Sequence, residues 1–195
     1  MPFKILHYES VDSTNQVARA LAEKGMEEGV VVQSSFQTHG RGRFHRRWRS
    51  PKGKDLLFSI ILRPVLKQHQ VSILTQVAAR AVRHVLRETF ELPAVIKKPN
   101  DILVQGKKIC GILTEASSFP SGVRYVIVGI GLNVNAKRSE MIRRATSICE
   151  GVKKPVDLNE LLDLILSQFA VCYRELIPDT GKKLRVKSLA GDRAG

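Results

Sequence analysis

Residues 37 to 51, QTHGRGRFHRRWRSP, place five arginines, two glycines and the only tryptophan of the chain in a segment without helical or strand periodicity. A guanidinium presents a planar fork of donors that matches carboxylate and phosphate oxygens, so Arg41, Arg43, Arg46, Arg47 and Arg49 together suit a multiply charged anion. Gly40 and Gly42 let the backbone approach such a ligand closely. Trp48 adds a flat surface on which a base or a guanidinium can stack. The segment reads as an anion-binding loop; a solvated basic loop for nucleic acid is the competing reading.

Two further segments carry compatible chemistry. In KKPNDILVQGKKICGILTE, residues 97 to 115, Lys97, Asn100 and Asp101 sit beside a proline-initiated turn, and Lys107 and Lys108 follow a turn at Gln105 and Gly106. Asp101 among so many cations is either a Mg²⁺ ligand on a polyphosphate or the carboxylate of an Asx turn. In GIGLN, residues 129 to 133, two glycines interrupt a β-branched strand and leave room for a ligand or another backbone to pass. The spacing lacks the third glycine and the following helix of a dinucleotide fingerprint.

These residues need elements to hold them. Residues 3 to 8 predict a strand, and Ser13 followed by Gln16 predicts a capping box opening a helix that ends near Lys24, with Gly25 at its C-terminal cap. Strands are predicted at 30 to 36 and 56 to 63, with the arginine loop hung between them. The apolar spacing from Gln70 to Phe90 predicts a long helix, stopped by Leu92 and Pro93. Strands follow at 94 to 97, from Asp101 across a turn into 107 to 116, and at 123 to 135. A last helix runs from Asn159 to Leu176, capped by Asp157. The fold class is α+β, a mixed β-sheet with helices packed mainly on one face.

The composition bounds the partners. At 195 residues and 43% hydrophobic content the chain can bury one substantial core. Its 32 basic against 18 acidic residues give a net charge of +14, which favours anionic partners without choosing among them. No apolar run approaches the ~20 residues of a membrane span and the N-terminus has no signal-peptide architecture, so a cytoplasmic location is expected. Cys110, Cys149 and Cys172 are too widely spaced for a local zinc motif and read as buried thiols.

Taken together, VDSTNQVA, QTHGRGRFHRRWRSPKG, KKPNDILVQGKKICGILTE and VGIGLNVN resemble, in order and spacing, the signature blocks of the biotin protein ligases. The resemblance covers about residues 5 to 177. It implies a class II synthetase-like catalytic domain over residues 1 to 180, with residues 181 to 195 as the truncated start of a small C-terminal β-barrel. It implies an ATP- and Mg²⁺-dependent ligase that joins biotin to AMP and then transfers it to a lysine of a biotin carboxyl carrier protein domain. By resemblance, Ser13, Thr14 and Gln37 would bind the biotin head, and Gly40, Arg41 and Arg43 would order over biotin and the adenylate. Lys108 would neutralise the reacting groups, with Arg43 as the second catalytic cation. Arg46, Trp48, Lys97, Asn100, Asp101 and Asn133 would serve the nucleotide, Asp101 with magnesium. Gly111, Leu113 and Gly129 would shape the pocket.

The chain departs from the family pattern in particular places. His45 stands where many members carry glycine, which implies a stiffer loop. Lys98 replaces the usual tryptophan of the block that here reads KKPND, exchanging a ring for a charge. The catalytic blocks follow Met1 almost directly, so no DNA-binding domain is expected; whether the chain is a homodimer stays open. A lipoate ligase or octanoyl transferase shares the fold but generally lacks the arginine loop. A degenerate basic domain that binds nucleic acid or retains the adenylate is the rival from another class. Against nucleic acid, only 6% of residues are aromatic, and they fall in predicted core.

Overall fold

In the computed structural model, residues 2–120 and 122–177 and the backbone of 185–186 are described. Strand β1 (Pro2–Tyr8) leads to helix α1 (Thr14–Glu23) and strand β2 (Val30–Ser34). The arginine loop follows and returns into strand β3 (Leu56–Leu62). Helix α2 (Ser72–Glu88), strands β4 (Ala94–Lys97), β5 (Asp101–Val104), β6 (Lys107–Phe119) and β7 (Gly122–Leu132), helices α3 (Ile148–Val152) and α4 (Leu158–Leu176) and strand β8 (Arg185–Val186) complete the order. The strands form one sheet in the order β4-β5-β6-β7-β3-β2-β1-β8. β1 pairs in parallel with β2 and β8 while the other neighbours are antiparallel, so the sheet is mixed as expected. The anticipated barrel start at 181 to 195 lies outside the described residues, apart from Arg185–Val186 beside Pro2 and Phe3.

Alternation along β3 and β7 sorts side chains between the two faces. Phe58, Ile60, Leu62, Val126, Val128 and Ile130 point to the side covered by α2 and α4, which holds the larger core. Each fully buried residue of that size contributes roughly 1.5–3 kcal/mol. Ile61, Tyr125 and Ile127 point to the opposite face and pack with Ala18 and Ala22 of α1. That helix covers only part of its face. Beyond it the sheet floor is left to the arginine loop.

Local chemistry sets the element ends. Asp157 caps α4 by accepting from Asn159 N at 2.8 Å and Glu160 N at 2.9 Å, as its sequence position implies. Gln105 and Gly106 both have positive φ, 49° and 76°, the geometry of a tight hairpin turn between β5 and β6. Ser13 is the N-cap of α1, but its side chain makes no cap hydrogen bond, so the capping box is not formed. The other end of α1 is closed from outside. Arg63, just past β3, donates to Ala22 O at 2.8 Å, which also accepts from Gly25 N at 3.1 Å, and to Met26 O at 2.9 Å beyond the helix end. Strand β2 stops at Ser34 and β7 at Leu132, short of the predicted 36 and 135, because both chains turn into the loops around the site. The five-residue α3 carries too little apolar period to be legible in sequence.

Candidate active site

The arginine loop is a closed lobe tied to itself. Trp48 N donates to Gly40 O at 2.9 Å, Gly42 N donates to Arg46 O at 2.7 Å, and Arg41 and Arg47 form an antiparallel bridge. A Cβ on Gly40 would stand 2.5 Å from Trp48 O, so this crossing requires glycine. At the tip, Phe44 adopts φ 55° and is 77% exposed, with the Arg43 guanidinium 4.9 Å from its ring centroid. The side chain of His45, where a stiffer loop is expected, lies outside the described residues.

Asp55 anchors the returning end of the loop. It is buried, accepts from Ser50 Oγ at 2.7 Å and Val134 N at 2.9 Å, and so ties the loop to the chain leaving β7. Burial raises the Asp55 carboxyl above the usual carboxylate range, while the Ser50 and Val134 hydrogen bonds pull the other way. The native state therefore holds this proton more tightly than the unfolded chain. Its stabilising contribution is full below the ordinary value of 3.8 and is lost as pH rises through the raised native value. Asp55→Asn keeps an acceptor for Val134 N and removes the charge. We expect the variant to be more stable at pH 7 and to lack this acid-side gain; urea midpoints at pH 4 and pH 7 check it, and an unchanged pH slope defeats it.

The floor beneath the lobe is made of glycines. Gly111 of β6 and Gly131 of β7 are paired across the ladder, and a Cβ on them would come 2.9 Å and 2.6 Å from the Trp48 ring. Sequence reading leaves the glycines of 129 to 133 open to a ligand or another backbone, and two side chains pack over them here. Trp48 lies over Gly131 and Asn15 over Gly129, where a Cβ would meet Asn15 Oδ1 at 1.9 Å. The indole Nε1 is buried without a partner. Lys108 sits beside this floor, its Nζ 5.5 Å from the Trp48 ring centroid and 2.7 Å from Asp101 Oδ1 in an ion pair. Its backbone is pinned by Lys108 N donating to Arg144 O and Thr146 N donating to Lys108 O, both at 2.9 Å.

Thr14, Asn15, Ser59 and Glu115 make a polar cluster beside the floor. Gln37 Oε1 accepts from Thr14 N at 2.8 Å and lies 3.1 Å from Thr14 Oγ1. Ser59 Oγ is 2.8 Å from Thr14 Oγ1 and 2.7 Å from Asn15 Oδ1. Asn15 Nδ2 donates to Glu115 Oε2 at 2.7 Å, and Glu115 Oε1 pairs with Arg41 at 3.2 Å and Arg19 at 3.3 Å. Of these, Asn15, Ser59 and Glu115 escape sequence reading. The signal available is a serine in the middle of the apolar LLFSIIL and a glutamate two residues after the apolar ICGIL.

A cleft of about 830 Å³ opens between the lobe, the start of α2 and the turn before β5, lined by Gly40, Arg41, Arg43, Arg46, Asn100 and Leu113, with Lys98 at its rim. Asn100 bridges its walls: its Oδ1 accepts from Arg43 at 3.4 Å and its Nδ2 donates to Ile112 O at 2.9 Å. The predicted residues do not all meet there: Thr14, Gln37, Trp48, Asp101 and Lys108 are outside its lining. Lys97 is exposed at the end of β4, paired across the ladder with Asp101. Asn133 is buried, and its Nδ2 braces Thr146 O at 2.9 Å. Ser13 is buried at the head of α1. Cys110 and Cys172 are buried thiols pushed up by desolvation, whereas Cys149 is only half-buried, contrary to expectation. Among the described residues no helix is long and apolar enough to cross a membrane.

The mixed sheet thus carries a glycine floor, a cationic lobe and an ion-paired lysine in one region of the fold. The chain matches the biotin/lipoate A/B protein ligase family over residues 8–133 and belongs to it. It is 37% identical over 175 residues to the bifunctional ligase/repressor BirA of Bacillus subtilis, an alignment covering 88% of this chain and 54% of that protein. The chain thus spans about half the length of that relative. It is 31% identical over 186 residues to the biotin–(acetyl-CoA carboxylase) ligase of Mycobacterium tuberculosis, covering 91% and 68%. Among solved structures it resembles the biotin protein ligase of Aquifex aeolicus in complex with biotin and ATP, with a TM-score of 0.78, 32% identity and coverage of 90% and 72%. It also resembles the biotin protein ligase of Leishmania major in complex with biotinyl-5-AMP, with a TM-score of 0.74, 29% identity and coverage of 100% and 88%.

Proposed function

We propose that this chain is the catalytic domain of an ATP-dependent biotin protein ligase. The carboxylate oxygen of biotin attacks the α-phosphorus of ATP, the bond to the β-phosphate oxygen breaks, and biotinyl-5′-AMP and pyrophosphate result. The amine of a carrier-protein lysine then attacks the activated carbonyl, loses a proton and releases AMP. The observation that carries this reading is Lys108, held by Asp101 at 2.7 Å against the Trp48 and Gly111 floor, with Arg41, Arg43 and Arg46 lining a cleft that Lys108 itself does not line. Two anions must meet in the first step, and preorganised cations lower that barrier because they are already oriented where charge accumulates.

The chain's own groups divide the work. Arg43 and Arg46 suit the phosphates, and Arg41, fixed by Glu115, holds the lobe against the sheet. Trp48 supplies a stacking face beside the glycines, which fits a nucleotide base once the ring moves. Asp101 spends Oδ1 on the Lys108 ammonium, so its other carboxylate oxygen would be the one to meet magnesium carried on the triphosphate. Among the described residues no group of three or more metal-ligating side chains is present. Magnesium on a triphosphate keeps most of its waters and needs only one or two carboxylates beside the phosphate oxygens.

The cluster of Thr14, Gln37, Asn15 and Ser59 favours biotin over lipoate or octanoate. A ureido ring offers donors and an acceptor to such a cluster, whereas an alkyl or dithiolane end would leave it unpaired. The partner in the second step is a biotin carboxyl carrier domain, whose lysine enters past the lobe. Biotin-dependent exchange of label between pyrophosphate and ATP tests the first step. Exchange that requires biotin and is not supported by lipoate is expected; its absence in folded protein refutes the proposal.

A further inference from the structure

Side chains on a strand alternate between its two faces, and β6 breaks that alternation beside its lysine. Lys108 and Gly111 are three residues apart yet share the face under the arginine lobe: a Cβ on Gly111 would lie 3.1 Å from Lys108 Nζ and 2.9 Å from the Trp48 ring. Between them, Ile109 and Cys110 are adjacent, and both belong to the core on the opposite face. The ladder gives the cause. Leu103 of β5 pairs with Lys108 and Ile102 with Cys110, so Ile109 is an extra residue without a partner on β5, a β-bulge. Alternation kept unbroken back from Gly111 would turn Lys108 to the core side, away from Trp48.

At the bulge β6 also changes its neighbour. Ile109 O still accepts from the β7 side, from Asn133 N at 2.9 Å, whereas Lys108 N donates to Arg144 O and Lys108 O accepts from Thr146 N, both at 2.9 Å. Residues 144 to 146 thus lie as a strap along the lysine, bridged to it in parallel at Ala145. Asn133 touches both sides of the step. Its main-chain N meets the bulged residue, and its side-chain Nδ2 donates to Thr146 O at 2.9 Å, the carbonyl fixing which end of the amide faces it. Among the described residues this is the one side-chain hydrogen bond made to 144 to 146. Ser147 Oγ on Ala136 O at 2.7 Å and Cys149 N on Val134 O at 2.9 Å fasten the chain beyond the strap.

We propose that Asn133 is a positioning residue for Lys108: it braces the strap that fixes the lysine's main chain at the bulge, and so keeps the ammonium on the lobe face. The inference rests on the reading of Lys108 as a cation of the first step. Misplacing a reacting group by about 1 Å can cost about 10²-fold in rate, so a loosened strap acts on turnover before it acts on substrate affinity. A direct contact with the nucleotide, the role that resemblance implies for Asn133, would act on the affinity for ATP instead.

The test is a double-mutant cycle on single-turnover formation of biotinyl-AMP, with wild type, Asn133→Ala, Lys108→Ala and the double variant at saturating biotin and MgATP. Asn133→Ala is expected to be about tenfold or more slower than wild type, with steady-state KM for ATP and for biotin within about threefold. In the Lys108→Ala background the same change is expected to cost less than about threefold, because the side chain it positions is gone. Equal losses in both backgrounds, a rate for Asn133→Ala within about threefold of wild type, or a raised KM for ATP at unchanged kcat overturn the inference and leave the Lys108 reading intact. Lys108→Ala within about threefold of wild type overturns that reading, and the inference with it. A crystal structure of the wild-type protein with biotinyl-AMP decides the point without a variant. Asn133 Nδ2 still on Thr146 O supports the inference, and Nδ2 transferred to the adenylate overturns it.

Discussion

Lys108→Ala is expected to lower the rate of biotin-dependent adenylate formation by about 10²–10³-fold, the cost of removing one preorganised charge from a developing anion. The loss should fall on kcat more than on KM for either substrate, because Lys108 gains most as charge builds between carboxylate and phosphorus. Its position makes the effect local. The ammonium is 2.7 Å from Asp101 and 5.5 Å from the Trp48 ring, and its backbone hydrogen bonds are independent of the side chain. The fold should survive, with the Asp101 carboxylate unpaired and Trp48 relieved of a cationic neighbour. Tryptophan fluorescence reports that change without ambiguity, since Trp48 is the only such residue. Single-turnover formation of biotinyl-AMP is the decisive measurement; a rate within threefold of wild type would remove Lys108 from the mechanism.

Gly129→Ala should damage binding and folding together. The new Cβ would stand 1.9 Å from Asn15 Oδ1 and 2.8 Å from its Cγ, so Asn15 must leave its seat. Its partners, the buried Ser59 and the half-buried Glu115, then lose their shared neighbour. Overpacking of this kind costs about 1–3 kcal/mol, and biotin affinity should fall about tenfold to a hundredfold. The second change Asn15→Ala separates the two consequences. Restoring stability but not affinity in Gly129→Ala/Asn15→Ala would show that the glycine serves the seating of Asn15. If the double variant recovers neither, the strand itself requires glycine at 129.

Much of the scaffold was written in local patterns. The apolar spacing of α2 and α4, the cap at Asp157 and the positive-φ turn at Gln105 and Gly106 each depend on neighbours within a few residues. The anion-binding character of the lobe is equally local, since five arginines and two glycines specify it wherever it is placed. Ser13 marks the limit of this reasoning. Its position at the start of α1 is right, yet the capping box is missing because a sequence pair offers a hydrogen bond without compelling the rotamer that makes it.

By itself, the sequence determined which side chains could neutralise an anion, where the longer strands and helices fall, and the family to which their order belongs. Tertiary structure decided who stands opposite whom. Asp101 holds Lys108, Trp48 lies on Gly111 and Gly131, and Asn15 is joined to Ser59 and Glu115 across 44 and 100 residues of chain. Such pairings depend on the register of β3, β6 and β7, which is set by the burial of both sheet faces at once. No periodicity within one segment encodes it.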